Sequence, residues 1–293
     1  MRKSFQNGSL CGQETTEIIK EFINPLLLDG HVFNLRSYML IASTNPLMAF
    51  YHDGFARVSL DKYESISSRN EDISPDAFLI SKMITIADNQ LQNYGVDEET
   101  LKNKQQWSFD KLQKHLLTKG VINDKNWLNT YLRPELKKVM IHLIRMASEN
   151  LFKSSSVYEL FEVEFMLDDN FNLYFLDVNS GVSMEDYSQS MEKFMLKMLE
   201  DHFKVVQGLL RSRMKRAIEY VNRLKEIGLA SVGKRSTVVI EDLEERIDEF
   251  KIVTQNYFEK EFEPTPDNGF VRIVDENLYG EERYFKLVKE ECL

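Results

Sequence analysis

Apolar residues form two short runs between Tyr158 and Asn179 (YELFEVEFMLDDNFNLYFLDVN), and a polar tripeptide separates them. Runs of this length are typical of strands, and Asp168-Asp169-Asn170 is typical of a tight turn. The pattern therefore predicts a β-hairpin. Because side chains two residues apart point to one face of a strand, Asp177 and Asn179 share a face, and the hairpin can bring Glu164 opposite them.

Further strands are predicted nearer the N-terminus. The stretch Asn34–Ala42 (NLRSYMLIA) is a strand candidate, and the apolar runs Leu47–Tyr51 and Phe55–Leu60 flank Asp53-Gly54. Asp-Gly between two apolar runs is a strong hairpin signal. Together these runs predict an antiparallel meander of three strands.

Helical spacing of apolar residues dominates much of the remaining chain. Ser108 is suited to cap a helix over Leu112–Leu117, and Gly120 is suited to end it. A long helix is predicted over Ser188–Ile227, with a break near Gly208. The other predicted elements are a helix within Leu132–Phe152, an acidic helix over Glu241–Val253, a terminal strand pair at Phe270–Val274 and Arg283–Val288, and two segments that fit helix or strand, Thr15–Ile23 and Phe78–Ile86.

Composition indicates a folded protein of a reducing compartment. The chain has 293 residues, 43% of them hydrophobic, which is enough for a large core. Its two cysteines, Cys11 and Cys292, lie near opposite ends and suggest neither a disulfide framework nor a zinc site. No apolar run reaches the roughly 18 residues of a membrane span, and no signal peptide is expected.

Charge is distributed unevenly along the chain. The net charge is −10, and residues 241–293 contain 16 acidic and 7 basic residues. A general nucleic-acid-binding role is disfavoured, because it requires a basic surface. A basic run from Arg211 to Lys225 on the long helix is either a solvated face or a surface for an acidic partner, including an acidic tail.

Three oxygen-bearing side chains in the hairpin form a candidate metal site. Glu164, Asp177 and Asn179 would offer oxygen ligands on one face of a sheet, which Mg²⁺ prefers and usually shares with phosphates. The alternative is that the Asp and Asn only form turns and that the Glu faces water.

Four motifs, in order, resemble the tubulin–tyrosine ligase-like family of ATP-grasp ligases, which add amino acids to tubulin. The family patterns are roughly K-F-D-x-R, R-E-G-x-x-R, W-S before a helix, and F-E-L-F-G-F-D-F-x-x-D followed by L-x-E-V-N. The matching segments are Val32–Arg36, His52–Arg57, Trp107-Ser108, and Tyr158–Phe161 with Leu176–Asn179. The resemblance covers about residues 18–206.

The resemblance implies a role for several residues and also departs from the family at others. Arg36 and Arg57 match arginines that bind the acceptor carboxylate, and Glu164, Asp177 and Asn179 match the magnesium positions, with Asp and Glu exchanged. The departures are Val32 in place of the phosphate-binding lysine, Asn34 in place of an acidic residue, and Met83–Ile86 in place of H-L-T-N. An upstream glycine-rich portion also has no counterpart before residue 18.

These observations predict an α+β fold, the C-terminal portion of an ATP-grasp-like domain: a mainly antiparallel sheet flanked by helices, with a long helix after the last hairpin. We expect a ligase-like domain over residues 1–206, a basic helical extension over 207–240 and an acidic extension over 241–293.

The leading hypothesis for function is a catalytically degenerate family member. It would act as a structural or binding subunit of a microtubule or ciliary assembly, with protein partners such as tubulin or axonemal proteins and with no cofactor. One alternative is an active ligase that uses ATP and Mg²⁺ and draws the missing half of its ATP site from another chain. The other is a scaffold unrelated to microtubules. An intracellular, cytoskeletal location is expected.

Overall fold

The computed structural model describes residues 24–62, 97–154, 157–182, 187–231 and 264–276. The segments 15–23, 78–86, 241–253 and 283–288, for which elements were predicted, and the departure at Met83–Ile86 lie outside these ranges. Within the described part of the chain, no helix is long and apolar enough to cross a membrane.

The described chain builds one antiparallel sheet and several helices. The strands are β1 Leu27–Leu28, β2 His31–Thr44, β3 Leu47–Lys62, β4 Gln106–Ser108, β5 Glu159–Leu167, β6 Leu173–Ser180 and β7 Val271–Asp275. The α-helices are α1 Glu98–Gln105, α2 Phe109–Thr118, α3 Arg133–Ala147, which follows a π-helical turn at Leu128–Leu132, and α4 Gln189–Ser231. The predicted α+β class, with a long helix after the last hairpin, is confirmed.

The sheet has the strand order β4-β3-β2-β5-β6, with β1 paired to β2 and β7 paired to β3. Every ladder between these strands is antiparallel. The predicted strand at Phe270–Val274 is β7, and it pairs with β3. The central strand β2 is buried along almost its whole length, because helices cover both of its faces.

The two faces of the sheet pack against different helices. On one face, Leu35, Met39 and Ile41 of β2 join a cluster with residues of α2 and α3. On the other face, Tyr38 and Leu40 pack against methionines and aliphatic residues of α4. Alternate residues of a single strand thus serve two separate cores, as the two-residue period of a strand requires.

The predicted hairpin at Asp53-Gly54 is wrong, and only two strands exist where three were predicted. β3 runs unbroken from Leu47 to Lys62, and the turn lies at Asn45-Pro46. The register of β2 on β3 shifts between Arg36 and Tyr38, opposite Gly54. A Cβ atom on Gly54 would lie 1.8 Å from the Arg36 carbonyl oxygen. The glycine therefore marks a bulge and a close backbone approach rather than a turn.

The predicted helix boundaries agree with the structure better than the predicted hairpin does. The Ser108 side chain accepts a hydrogen bond from the backbone N–H of Lys111 and caps α2, as predicted. Gly120, just beyond the end of α2, has a φ of +69°, which suits glycine. The predicted break near Gly208 is wrong, because α4 continues through it to Ser231.

Candidate functional site

The candidate site lies on the α4 face of the sheet, where β3, β2, β5 and β6 are neighbours. Arg36 on β2 is the register partner of Glu164 on β5, and Glu164 is the partner of Asp177 on β6. Asn34 on β2 is the partner of Arg57 on β3. Strand pairing alone therefore gathers these five residues, which come from four strands.

Glu164 is the centre of this charge cluster. Its Oε1 accepts a hydrogen bond from Arg36 Nη2 at 2.8 Å, and its Oε2 accepts one from Asn34 Nδ2 at 3.0 Å. Arg57 Nη1 lies 3.5 Å from the same Oε1. All three charged side chains are largely buried, with exposed fractions of 9% for Arg36, 14% for Glu164 and 15% for Arg57. Both oxygens of this carboxylate thus face N–H donors.

A second buried carboxylate, Glu162, contacts the same arginine from the other side. Its Oε2 lies 2.9 Å from Arg36 Nη1, and its side chain is 5% exposed. The contact lacks hydrogen-bond geometry, so the two groups interact as charges only. Burial raises the pKa of Glu162 to about 7, and Glu164 adds to the increase while Arg36 opposes it.

Glu162 was missed by the sequence analysis. Its position two residues before Glu164 puts it on the same face of β5, and that spacing was a usable signal. In the family pattern given with the resemblance, a glycine stands at this position.

The two arginines respond differently to their surroundings. Burial acts to lower the pKa of Arg36, but Glu162 and Glu164 more than offset it, so that pKa lies above its ordinary value. Burial, with repulsion from Arg36, lowers the pKa of Arg57. Arg36 is thus the guanidinium that the internal carboxylates neutralise most completely.

Asp177 and Asn179 lie on the outer strand β6 and are exposed. Asp177 is the register partner of Glu164, as the hairpin pattern predicts, whereas Asn179 is the partner of Glu162. One oxygen of Asp177 accepts a hydrogen bond from the Val178 backbone N–H at 2.9 Å. In this arrangement Glu164 already accepts hydrogen bonds from Asn34 and Arg36. A metal role for Glu164, Asp177 and Asn179 stays a prediction.

Val32 and Asn34 occupy the positions where the resemblance leads one to expect charge. Both are on β2, on the same face as Arg36, and they are 6% and 1% exposed. Val32 offers only an isopropyl group. Asn34 donates its amide N–H to Glu164, so this uncharged side chain supports the carboxylate instead of repelling it. Among the residues described, no group of three or more His, Cys, Asp and Glu could hold a metal ion.

Comparison with known proteins gives the family. The family model described as the tubulin-tyrosine ligase family matches residues 2–215. The chain belongs to this family. The predicted resemblance is therefore confirmed.

Several relatives extend this result. The chain is 31% identical over 171 residues to protein polyglycylase TTLL10 of Macaca fascicularis, covering 57% of this chain and 26% of that protein. It is 29% identical over 173 residues to inactive polyglycylase TTLL10 of Homo sapiens, covering 57% and 24%. It is 26% identical over 201 residues to tubulin glycylase 3A of Drosophila melanogaster, covering 68% and 19%. The matched region thus spans about a quarter or less of each of these relatives.

A solved structure is also similar. The C-terminal domain of K. lactis Pby1, described as an ATP-grasp enzyme interacting with the mRNA decapping enzyme Dcp2, superposes with a TM-score of 0.44 and 17% identity. The match covers 65% of this chain and 47% of that chain. A likeness of this size bears on neither function nor mechanism.

Proposed function

We propose that this chain is a tubulin-tyrosine ligase family member without ligase chemistry that serves as a binding or structural subunit of a microtubule-based assembly. The observation that carries the proposal is the internal neutralisation of Arg36. Its guanidinium lies 2.8 Å from Glu164 and 2.9 Å from Glu162. An acceptor carboxylate would have to compete for Arg36 with these two resident carboxylates.

The surroundings of Arg36 argue in the same direction. Phosphoryl transfer depends on cations that neutralise the triphosphate. Val32 offers no charge at the position of the family's lysine, and the charges of Arg57 and Arg36 are both directed at Glu164. Both arginines of the candidate site therefore bind the protein's own carboxylates.

The relatives support both halves of the proposal. One of them, the human protein, is named an inactive polyglycylase, so loss of activity occurs among the relatives of this chain. Others are named tubulin glycylases, which makes tubulin the favoured partner. A cytoskeletal setting, such as a ciliary axoneme, is part of this proposal.

Isothermal titration of the chain with ATP and Mg²⁺ tests the loss of chemistry. We expect no binding heat, because the cationic groups are already paired. Micromolar binding would overturn the proposal. Co-sedimentation with microtubules tests the partner. We expect the chain to pellet with microtubules, and a chain that stays in the supernatant would contradict the proposed partner.

An active ligase remains the second candidate, because one observation favours it. Glu164 and Asp177 are register partners and Asn179 follows on β6, so the three oxygen-bearing groups lie at one end of the sheet. If Mg²⁺ binds there, these side chains would hold it, and it would supply neutralisation of phosphate charge. Labelled glycine transferred to tubulin by the wild type and not by Glu164→Gln would establish this candidate. No incorporation above the Glu164→Gln control, even with the chain that completes the ATP site present, would exclude it.

A further inference from the structure

An exposed apolar stripe runs along α4 from Phe203 into the second half of the helix, residues 207–231. Phe203, Leu210, Met214 and Ile218 are exposed by 57%, 47%, 65% and 57%. Their spacing of seven, four and four residues places them on one side of the helix. An apolar stripe of this kind on a helix normally packs against another element.

The same half of the helix is basic. Residues 207–231 contain six basic and two acidic residues. Arg211 and Lys215, whose side chains are both exposed, lie beside the apolar stripe. A complementary occupant would therefore combine apolar residues at helical spacing with acidic ones.

The path of the chain brings a segment back to this surface. α4 ends at Ser231, and the chain is next described at Pro264. Pro264 lines a cavity of about 570 Å³ together with Gly208, Arg211 and Ser212 of α4. From Gly208 to Ser231 the helix rises about 35 Å. The connection over residues 232–263 therefore has to cover the length of this half of α4 in the reverse direction.

The sequence of that connection has the required chemistry. Residues 241–263 contain nine acidic and three basic residues. Apolar residues recur there at helical spacing, at Leu243, Ile247, Phe250 and Tyr257. As a helix, residues 241–263 would measure about 35 Å, the same length as the second half of α4. Residues 232–240 are left to reverse the chain.

We propose that residues 241–263 dock antiparallel along the second half of α4. The apolar residues of the segment would cover Leu210, Met214 and Ile218, and its carboxylates would face the basic residues of the helix. The basic surface would then be occupied within the chain and would not be free for an acidic partner or for a second copy. This inference does not rest on the function proposed above.

Cross-linking of the full chain tests the docking directly. In a background with Cys11→Ser and Cys292→Ser, Met214→Cys is combined with Tyr257→Cys, because the two positions lie about equally far from the chain reversal. A short bismaleimide should link the pair within one chain. The matched control pairs Tyr257→Cys with Met146→Cys, which is 69% exposed on α3, and its two thiols should not be linked to each other.

Two results of this experiment would overturn the proposal. The first is an intrachain yield no higher than in the control. The second is a product linked only between chains, which would identify a second copy as the occupant.

Charge reversal gives an independent readout. In Glu259→Lys with Glu261→Lys, we expect the amides of α4 beyond Gly208 to exchange hydrogen roughly tenfold faster, because the opposing charges become alike. The control, Glu149→Lys with Glu159→Lys, makes the same change in charge at exposed positions elsewhere and should leave that exchange unchanged. Equal exchange in both variants would contradict the docking.

Discussion

The two faces of the sheet differ in what they bury. The face against α2 and α3 is filled by aliphatic and aromatic side chains such as Leu35, Leu112 and Leu136. The face against α4 also has an apolar core, but at the candidate site it buries Arg36, Glu162 and Glu164. Both faces are built from alternate residues of the same strands. The difference shows that backbone pairing is common to both faces and that the buried cluster of Arg36, Glu162 and Glu164 belongs to one.

This confinement has an energetic consequence. Apolar burial stabilises in proportion to the area removed from water. A buried ion cluster stabilises little overall, yet the loss of one member leaves the others desolvated and unpaired. Substitutions on the two faces should therefore be harmful for different reasons and should respond differently to pH.

The largest effect is expected at Arg36. Replacement by Met keeps much of its volume but leaves Glu162 and Glu164 buried with fewer cationic partners. We expect a loss of about 3–5 kcal/mol in the free energy of unfolding, measured by urea denaturation. The triple variant Arg36→Met with Glu162→Gln and Glu164→Gln is the control and should recover part of the loss. A neutral single variant would contradict the cluster as described.

A comparable but pH-independent loss of stability is expected from a substitution on the apolar face. Leu136 of α3 is fully buried. Leu136→Ala removes packed methyl groups and leaves a cavity, at a cost of about 2–4 kcal/mol. The same denaturation series at two pH values measures it. Since no titrating group is removed, a loss that changed strongly with pH would break the distinction between the two faces.

The pH dependence itself is expected to come from Glu162. The pKa of its carboxyl is about 7 in the folded chain and near 4.5 in its ordinary state. The folded state thus binds this proton more tightly, so the contribution to stability is present below pH 4.5 and is lost as the pH rises through 7. Wild-type stability should fall relative to Glu162→Gln between pH 5 and pH 8. Parallel stability curves for the two proteins would refute this.

The smallest effect on stability is expected for a partly exposed ion pair on the α3 side of the sheet. Arg133 donates to both oxygens of Asp53, and each side chain is 27% exposed. Arg133→Ala should cost about 1 kcal/mol or less, because solvent screens the charges. Thermal unfolding with and without added salt measures it. A loss of stability as large as that of Arg36→Met would show that the different burial of the two arginines does not determine the effect of removing them.

Local features of this protein follow from the sequence by itself. Asp168-Asp169-Asn170 forms a turn and Ser108 caps a helix because these side chains act on backbone groups a few residues away. The hairpin then aligns Glu164 with Asp177 across a short loop. The apolar period likewise predicts the long helix after the hairpin. Each of these inferences needs only neighbouring residues.

Tertiary structure decided the rest, because it depends on strands that are distant in sequence. Asp-Gly at residues 53 and 54 has the signature of a turn, but pairing to β2 makes it a bulge where Gly54 approaches Arg36. The meeting of Arg36, Arg57 and Glu164 requires β2 to lie between β3 and β5. Only this order of strands places Glu162 against Arg36, at a position where burial and the neighbouring Glu164 raise its pKa. Residue types alone do not contain these long-range pairings.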